Sequence, residues 1–407
     1  MIPIPKSIHS LPILINWNGP ESIVTNAIIN SKIESKKLEF GPSKCFNMHI
    51  GPDEVSCQEL KVHKNNIIKK NHETYLGDVI CSSGTNTKNI ENKCNGGIGT
   101  VSQIIAMLGQ ITLGHYYFEV AMVLRDSMLI SKLVSSSEIW YNVTKDQYRK
   151  IEQIDEMYLM RLFQAPKSVP RLSLYVECGK VPVKFIIKSR RMMYYWHLMH
   201  LDKDELIYKF YVAQCLRPGK NDWALQILAD KKDLNLDISD EEMRNISKTK
   251  FQKILQSRIK ENAAKYLSKT QLRQSKTKHL KISEKFIAAR YLHSKSMCTE
   301  EISTLFKLRS RTIDVKDNRE SSHRDNMWCR TCQLFPESQQ HLFQCSVIRK
   351  KFQSVDFTEL NYEMIFGNLE NQEKFTKIYH LMLLARNDIL DEKKKSSPSE
   401  MEDPCTS

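Results

Sequence analysis

No run of about 18 or more apolar residues occurs in this 407-residue chain, so nothing in it reads as a membrane span. The Ile13-Leu14-Ile15 patch is too short for a secretory signal and lacks its flanks. A disulfide framework is missing too. The eleven cysteines are odd in number, and Cys45, Cys57, Cys81, Cys94, Cys178, Cys215, Cys298 and Cys405 are scattered singly. That spread describes reduced thiols in an intracellular protein, nuclear or cytoplasmic. No internal repeat is visible. Gly96-Gly97-Ile98-Gly99 precedes an apolar run from Val101 to Leu108 and could cradle a phosphate on exposed amides. No P-loop lysine follows it, which leaves a flexible turn as the simpler reading.

Carboxylates are scarce where cations are dense. Residues 249–295 hold thirteen Lys or Arg against only Glu261 and Glu284, within a chain of net charge +14. Such a field suits a polyanion, and nucleic acid is the commonest intracellular one; the plain alternative is a solvated helix face. Membrane-surface binding fits poorly, because the segment has no bulky apolar stripe with Trp anchors.

Four residues of metal-ligand type crowd near the C-terminus. Cys329, Cys332, His341 and Cys345 are spaced C-x2-C-x8-H-x3-C. Zinc takes four such donors in a tetrahedron, and a set with no open position is structural, not catalytic. A C-x-x-C turn aims two thiolates at one point. His341 and Cys345, four apart, would share a helix face that Ile348 and Phe352 continue. The alternative is a pair of buried free cysteines beside an unrelated Cys and His.

The remaining pattern predicts a mainly α protein, long enough for two or three modest domains. A helix is expected from about Ser22, ending at Gly41-Pro42, and a strand over residues 44–50. Tyr75 to Ile80 reads as another short strand closed by Ser82-Ser83-Gly84. Val120 to Val134 reads as a largely buried helix. Thr144 and Gln147 make a capping box for a helix with Tyr148, Ile151, Asp155, Tyr158, Leu159 and Leu162 on one face. Residues 174–183 read as a short apolar break. Phe185 to Met199 places Lys188, Arg190 and Arg191 beside Tyr194, Tyr195 and Trp196, which suits a nucleic-acid backbone with rings for stacking. For the three rings, an aromatic core face is the better reading. From Lys250, an amphipathic helix buries Phe251, Ile254, Leu255, Ile259, Ala263, Tyr266 and Leu267. Gln271 to His279 reads as a polar linker that brings Lys276 and Lys278 ahead of Lys281. Lys307, Arg309 and Arg311 carry the basic character toward the cysteines. The tail from Asp391 lacks packing residues and is expected to be disordered.

In order, several stretches resemble the C-terminal part of the polymerase polyprotein of non-LTR (LINE-type) retrotransposons. They are Ser35 to Cys45, Tyr75-Leu76-Gly77-Asp78, Gly97-Ile98-Gly99-Thr100, Ser137 to Tyr141, Arg190-Arg191-Met192, Leu305 to Arg311, and the Cys/His cluster. The resemblance implies a small α/β palm remnant, a helical thumb bundle and a Cys2HisCys zinc knuckle. It divides the chain into an irregular 1–21, a partial palm 22–92, a thumb-like 93–235 and a basic helical 236–300. After these come a knuckle region 301–365, a helix 366–390 and a tail 391–407. Tyr75, Leu76 and Gly77 would be similar to the element that grips the primer end, and the knuckle would engage RNA or DNA.

The resemblance also exposes a gap. Family polymerases hold two magnesium ions on paired palm aspartates just upstream of the position of Ser22, and residues 1–21 contain no Asp. Asp53-Glu54 falls in a loop, and Asp155-Glu156 in a predicted helix. The expectation is therefore a 5′-truncated copy or incomplete gene product that binds nucleic acid and does not polymerise. Structural zinc would be its own cofactor, magnesium only that of an intact polymerase, and such a polymerase a possible partner. The alternatives are a domesticated zinc-binding adaptor, and a polymerase working only with a partner or with a missing upstream exon.

Overall fold

The computed structural model describes residues 46–48, 61–62, 65–66, 68–75, 77–110, 114–217, 219, 222–318 and 327–396. The expected helix from Ser22, the Ser35 to Cys45 stretch, Asp53-Glu54, Leu76 and the tail beyond residue 396 lie outside them. The described chain is mainly helical and divides into two compact units, between Asn95 and Gly96.

Strands belong to the first unit and are short. Strand β1 (Phe46–Asn47) pairs parallel with β4 (Ile68–Lys69), and β2 (Lys61–Val62) pairs antiparallel with β3 (Asn65–Asn66). The predicted single strand from Tyr75 to Ile80 is instead a hairpin. Strand β5 (His72–Tyr75) turns back as β6 (Asp78–Cys81), with Tyr75 opposite Asp78. Gly77 causes the reversal: its φ of +86° lies where a side chain strains the backbone. The first turns of helix α1 (Thr87–Leu108), which belong to the first unit, clamp this hairpin. Asn89 accepts from the Val79 amide and donates to Asp78, while Lys93 donates to the Gly77 carbonyl and pairs with Asp78.

The glycines at 96, 97 and 99 lie inside α1, not ahead of it. A Cβ on Gly97 would sit 2.8 Å from Leu133 and 3.1 Å from Ile154, so this residue lets helices approach closely; it forms no phosphate loop.

In the second unit, the predicted helix from Val120 to Val134 is a continuous but uneven rod. Helix α2 (Gly114–Leu124) leads through a π-helical segment, Arg125–Ile130, into α3 (Ser131–Leu133). Val120 and Val123 are exposed, so its burial is one-sided. Helix α4 (Lys145–Leu162) starts at the expected Thr144–Gln147 capping box and buries Ile151, Asp155, Tyr158, Leu159 and Leu162. The supposed apolar break after it is a helix, α5 (Arg171–Cys178), ended by Gly179 at φ +60°. A Pro-rich approach and a Gly stop made the second half of this helix look like part of an apolar break.

Helices α6 (Val183–Met199), α7 (Leu206–Leu216), α8 (Trp223–Asp233), α9 (Asp240–Asn245) and α10 (Lys248–Gln271) enclose one core. Tyr195, Leu198, Ile227, Met243, Phe251, Leu255 and Ala263 meet there. On α10 the expected stripe is buried at Phe251, Leu255, Ile259, Ala263 and Leu267, while Tyr266 is exposed. The stretch after α10 is no free linker. Gln271 donates to the carbonyls of Thr277 and Leu280, each at 2.7 Å, and Thr277 is buried.

Helix α11 (Thr299–Arg309) stacks Phe306 on Phe163 at 3.9 Å between ring centroids. Two short helices, α12 (Gln339–Gln344) and α13 (Ser346–Arg349), carry the cysteine region, and α14 (Leu369–Ser396) closes the chain. Residues 391–396, expected to be disordered, belong to α14. Among the described residues, no helix is long and apolar enough to cross a membrane.

Candidate metal centre and basic surfaces

Local backbone bonds bring the four donors together. The Cys329 amide donates to the Phe335 carbonyl at 2.7 Å, and the Gln333 amide returns to the Cys329 carbonyl at 2.9 Å. Trp328 bridges Pro336, so the C-x-x-C turn is closed at its base. His341 enters on α12, whose first turn is capped by the Ser338 hydroxyl at 2.9 Å from the His341 amide. Cys345 does not share a helix face with His341, as the spacing suggested. Its extended backbone, at ψ 116°, ends α12 and starts α13, so the thiol sits at a kink.

Cys329, Cys332, His341 and Cys345 offer ligand atoms that all lie within 4.8 Å of one another. This cluster can hold a metal ion, and its donor set is compatible with structural zinc. Cys332 Sγ lies 3.3 Å from His341 Nε2. Supporting polar groups surround the sulfurs: Thr331 Oγ1 is 3.0 Å from Cys329 and 3.2 Å from Cys345, and the Leu334 amide points at Cys332 from 3.5 Å. The bond between the two buried thiols lowers the pKa of Cys329 and raises that of Cys345. A cation among the sulfurs would favour their deprotonation. All four donors come from this chain, which leaves no position for a reacting water.

The cluster is tied down by a buried carboxylate. Glu337 accepts from Arg330 at 2.8 Å on the turn and from Arg386 at 2.8 Å on α14. Burial with two guanidiniums keeps this charge compensated. Tyr379 adds a bond to the Gln339 carbonyl at 3.0 Å, and Phe343 packs on Phe375. Spacing alone did not identify Glu337 or Arg386, because they lie 49 residues apart.

The cations singled out in the sequence fall into two groups. Several are internal ties. Arg191 is buried on Asp230 and on the Tyr148 hydroxyl; Arg190 pairs with Glu138, and Lys188 with Asp233 and Asp230. Arg309 pairs with buried Glu177 and donates to the Ile365 carbonyl. Lys307 is partly buried, which depresses its pKa. Other cations face outward. Lys278, Lys281 and Arg311 are exposed, and Lys276 is half-buried with its ammonium on the Asn318 carbonyl. On α10, Lys248, Lys250, Lys253, Lys260 and Lys269 are exposed and have no ion-pair partner among the described residues. The three rings of α6 are occupied: Tyr195 is buried, Tyr194 packs edge-on against Trp223, and Trp196 donates to the Ile246 carbonyl.

Among the described residues, no second cluster of metal-type donors forms. Asp155 is buried in a two-pronged bond to Arg125, and Glu156 is held by Arg149. Tyr75 is half-buried at the end of β5, and Gly77 is exposed in the hairpin turn. No known protein family, curated protein or solved structure matches the chain.

Proposed function

We propose that this chain is a nucleic-acid-binding piece of a non-LTR retrotransposon reverse transcriptase type, a thumb-like helical body ending in a zinc-held knuckle, with no polymerase chemistry of its own. One observation carries the reading. Helix α10 presents five exposed lysines with no acidic partner among the described residues over 24 helical residues, about 36 Å at the usual rise. Phosphates are the natural counterions for such a rod. Zinc on Cys329, Cys332, His341 and Cys345 would do no chemistry. It would replace the hydrophobic core that so small a segment lacks and fix the turn that presents Trp328 and Arg330.

Polymerase chemistry needs carboxylates free to hold magnesium. Among the described residues, the adjacent acids Asp155 and Glu156 of α4 are committed to arginines instead. The test is retention of the metal-loaded chain on RNA and DNA across a salt series, with a parallel incubation on primed template with nucleotides and magnesium. Salt-sensitive retention without primer extension is the expected result. Extension would overturn the inactive reading.

A zinc-dependent adaptor that binds proteins is the second reading. It is favoured by apolar side chains left in solvent on α7 and α8: Leu206 and Leu216 are 68% and 76% exposed, with Leu228 at 54%. Retention indifferent to salt would support it.

A further inference from the structure

Beside the cysteine turn lies a cleft of about 570 Å³, lined by Lys316, Trp328, Cys329, Arg330, Gln333, Leu390, Lys393 and Lys394. Among the described residues that line it, four side chains are cationic and none is a carboxylate. Arg330 is held by Glu337 and Asp314, and Lys393 donates to the carbonyls of Arg330 and Thr331, so these two build the wall. Lys394 is free to move: its pair with Asp391 joins side chains 80% and 66% exposed, and such a pair holds weakly. Trp328 is 54% exposed although the bridge to Pro336 fixes its backbone. An indole in solvent at the edge of a positive cleft, on a backbone fixed by that bridge, has an obvious complement. It is a flat aromatic ring that carries negative charge.

We propose that this cleft is a subsite for one nucleotide of a single-stranded nucleic acid, its base stacked on Trp328 and its flanking phosphate met by Lys394. The proposal rests on the nucleic-acid reading above and adds a place and a strandedness to it. A duplex keeps its base faces stacked inward and cannot offer one to Trp328, whereas an unpaired strand can. Gln333 supplies an amide at the rim for the edge of the base.

The test uses the full-length, metal-loaded chain and fluorescein-labelled oligo(dT) or oligo(U), with a duplex of equal length beside them, read by anisotropy. Trp328→Ala should weaken single-strand binding roughly 5- to 150-fold, the range for losing one base–aromatic stack. Trp328→Phe should recover most of it, and duplex binding should be untouched. Lys394→Ala should flatten the salt slope by up to ~0.7, for one phosphate on a single strand. Metal content and helicity, measured on every variant, identify any that misfold. Single-strand affinity unchanged by Trp328→Ala in a folded, metal-loaded variant overturns the subsite and leaves the wider reading standing. So does equal weakening on both substrates. A wild-type chain that binds neither substrate overturns both.

Discussion

Arg191 donates from Nε to Asp230 at 2.6 Å, and neither side chain reaches solvent. The pair joins α6 to α8, and the Tyr148 hydroxyl accepts from the same guanidinium at 2.7 Å. A residue that reads in sequence as a phosphate contact is thus an internal strut. Removing one partner strands a charge in a dry core, which costs about 3–5 kcal/mol. Arg191→Ala is expected to lower the denaturant midpoint accordingly and to leave per-molecule nucleic-acid affinity unchanged below the transition. An affinity loss at full helicity would return Arg191 to the surface role.

Gly179→Ala should be destabilising for two independent reasons. The φ of +60° disfavours a side chain, and a Cβ there would meet the backbone amide of Ala288 at 2.4 Å. Left-handed strain alone costs about 1 kcal/mol or more, and backbone atoms cannot step aside as a side chain would. Thermal unfolding of this variant at unchanged helix content is the check.

Removal of the metal should open more than the turn. Apparent zinc binding to isolated finger peptides is worth about 10–16 kcal/mol, comparable to the whole stability of a domain. The turn is joined to α14 through Glu337 and Arg386, and Phe343 rests on Phe375. Chelation, or Cys332→Ser, is therefore expected to expose residues 327–352 to protease and to loosen α14, with α10 still protected. A cleavage map identical with and without chelator would contradict a metal-built knuckle.

His279 makes stability depend on pH. Burial depresses its pKa, Arg311 and Arg309 press in the same direction, and the bond to the Arg309 carbonyl only partly offsets this. The unfolded imidazole takes up a proton near pH 6.5 while the folded one resists, so stability falls as pH drops through that value toward the folded pKa. It is fully present above it. His279→Gln should flatten the stability curve over roughly pH 5.5 to 7. An unchanged slope would show that other groups carry it.

The amphipathic face of α10, the capping box at Thr144 and the meeting of Cys329, Cys332, His341 and Cys345 were all legible in the sequence. Each depends on residues within a few turns of one another. The hairpin at Gly77 was not, because one glycine inside an apolar run reads as a strand residue until its φ is known. Nor was the helix Arg171–Cys178, whose apolar and polar residues fit a strand's alternation as well as a helix's period. Least visible were the fates of Arg191 and Arg309. Their acids lie 39 and 132 residues away, and only the packed helices bring them together.

The most direct measurement is the slope of log affinity against log salt for the metal-loaded chain on single-stranded RNA, beside a variant with Lys250, Lys253, Lys260 and Lys269 changed to Gln. A steep linear slope for the wild type is predicted, shallower in the variant by about 0.7 for each phosphate that a lysine had neutralised. Equal slopes, or wild-type binding that salt does not weaken, would contradict the claim that this helix holds a polyanion.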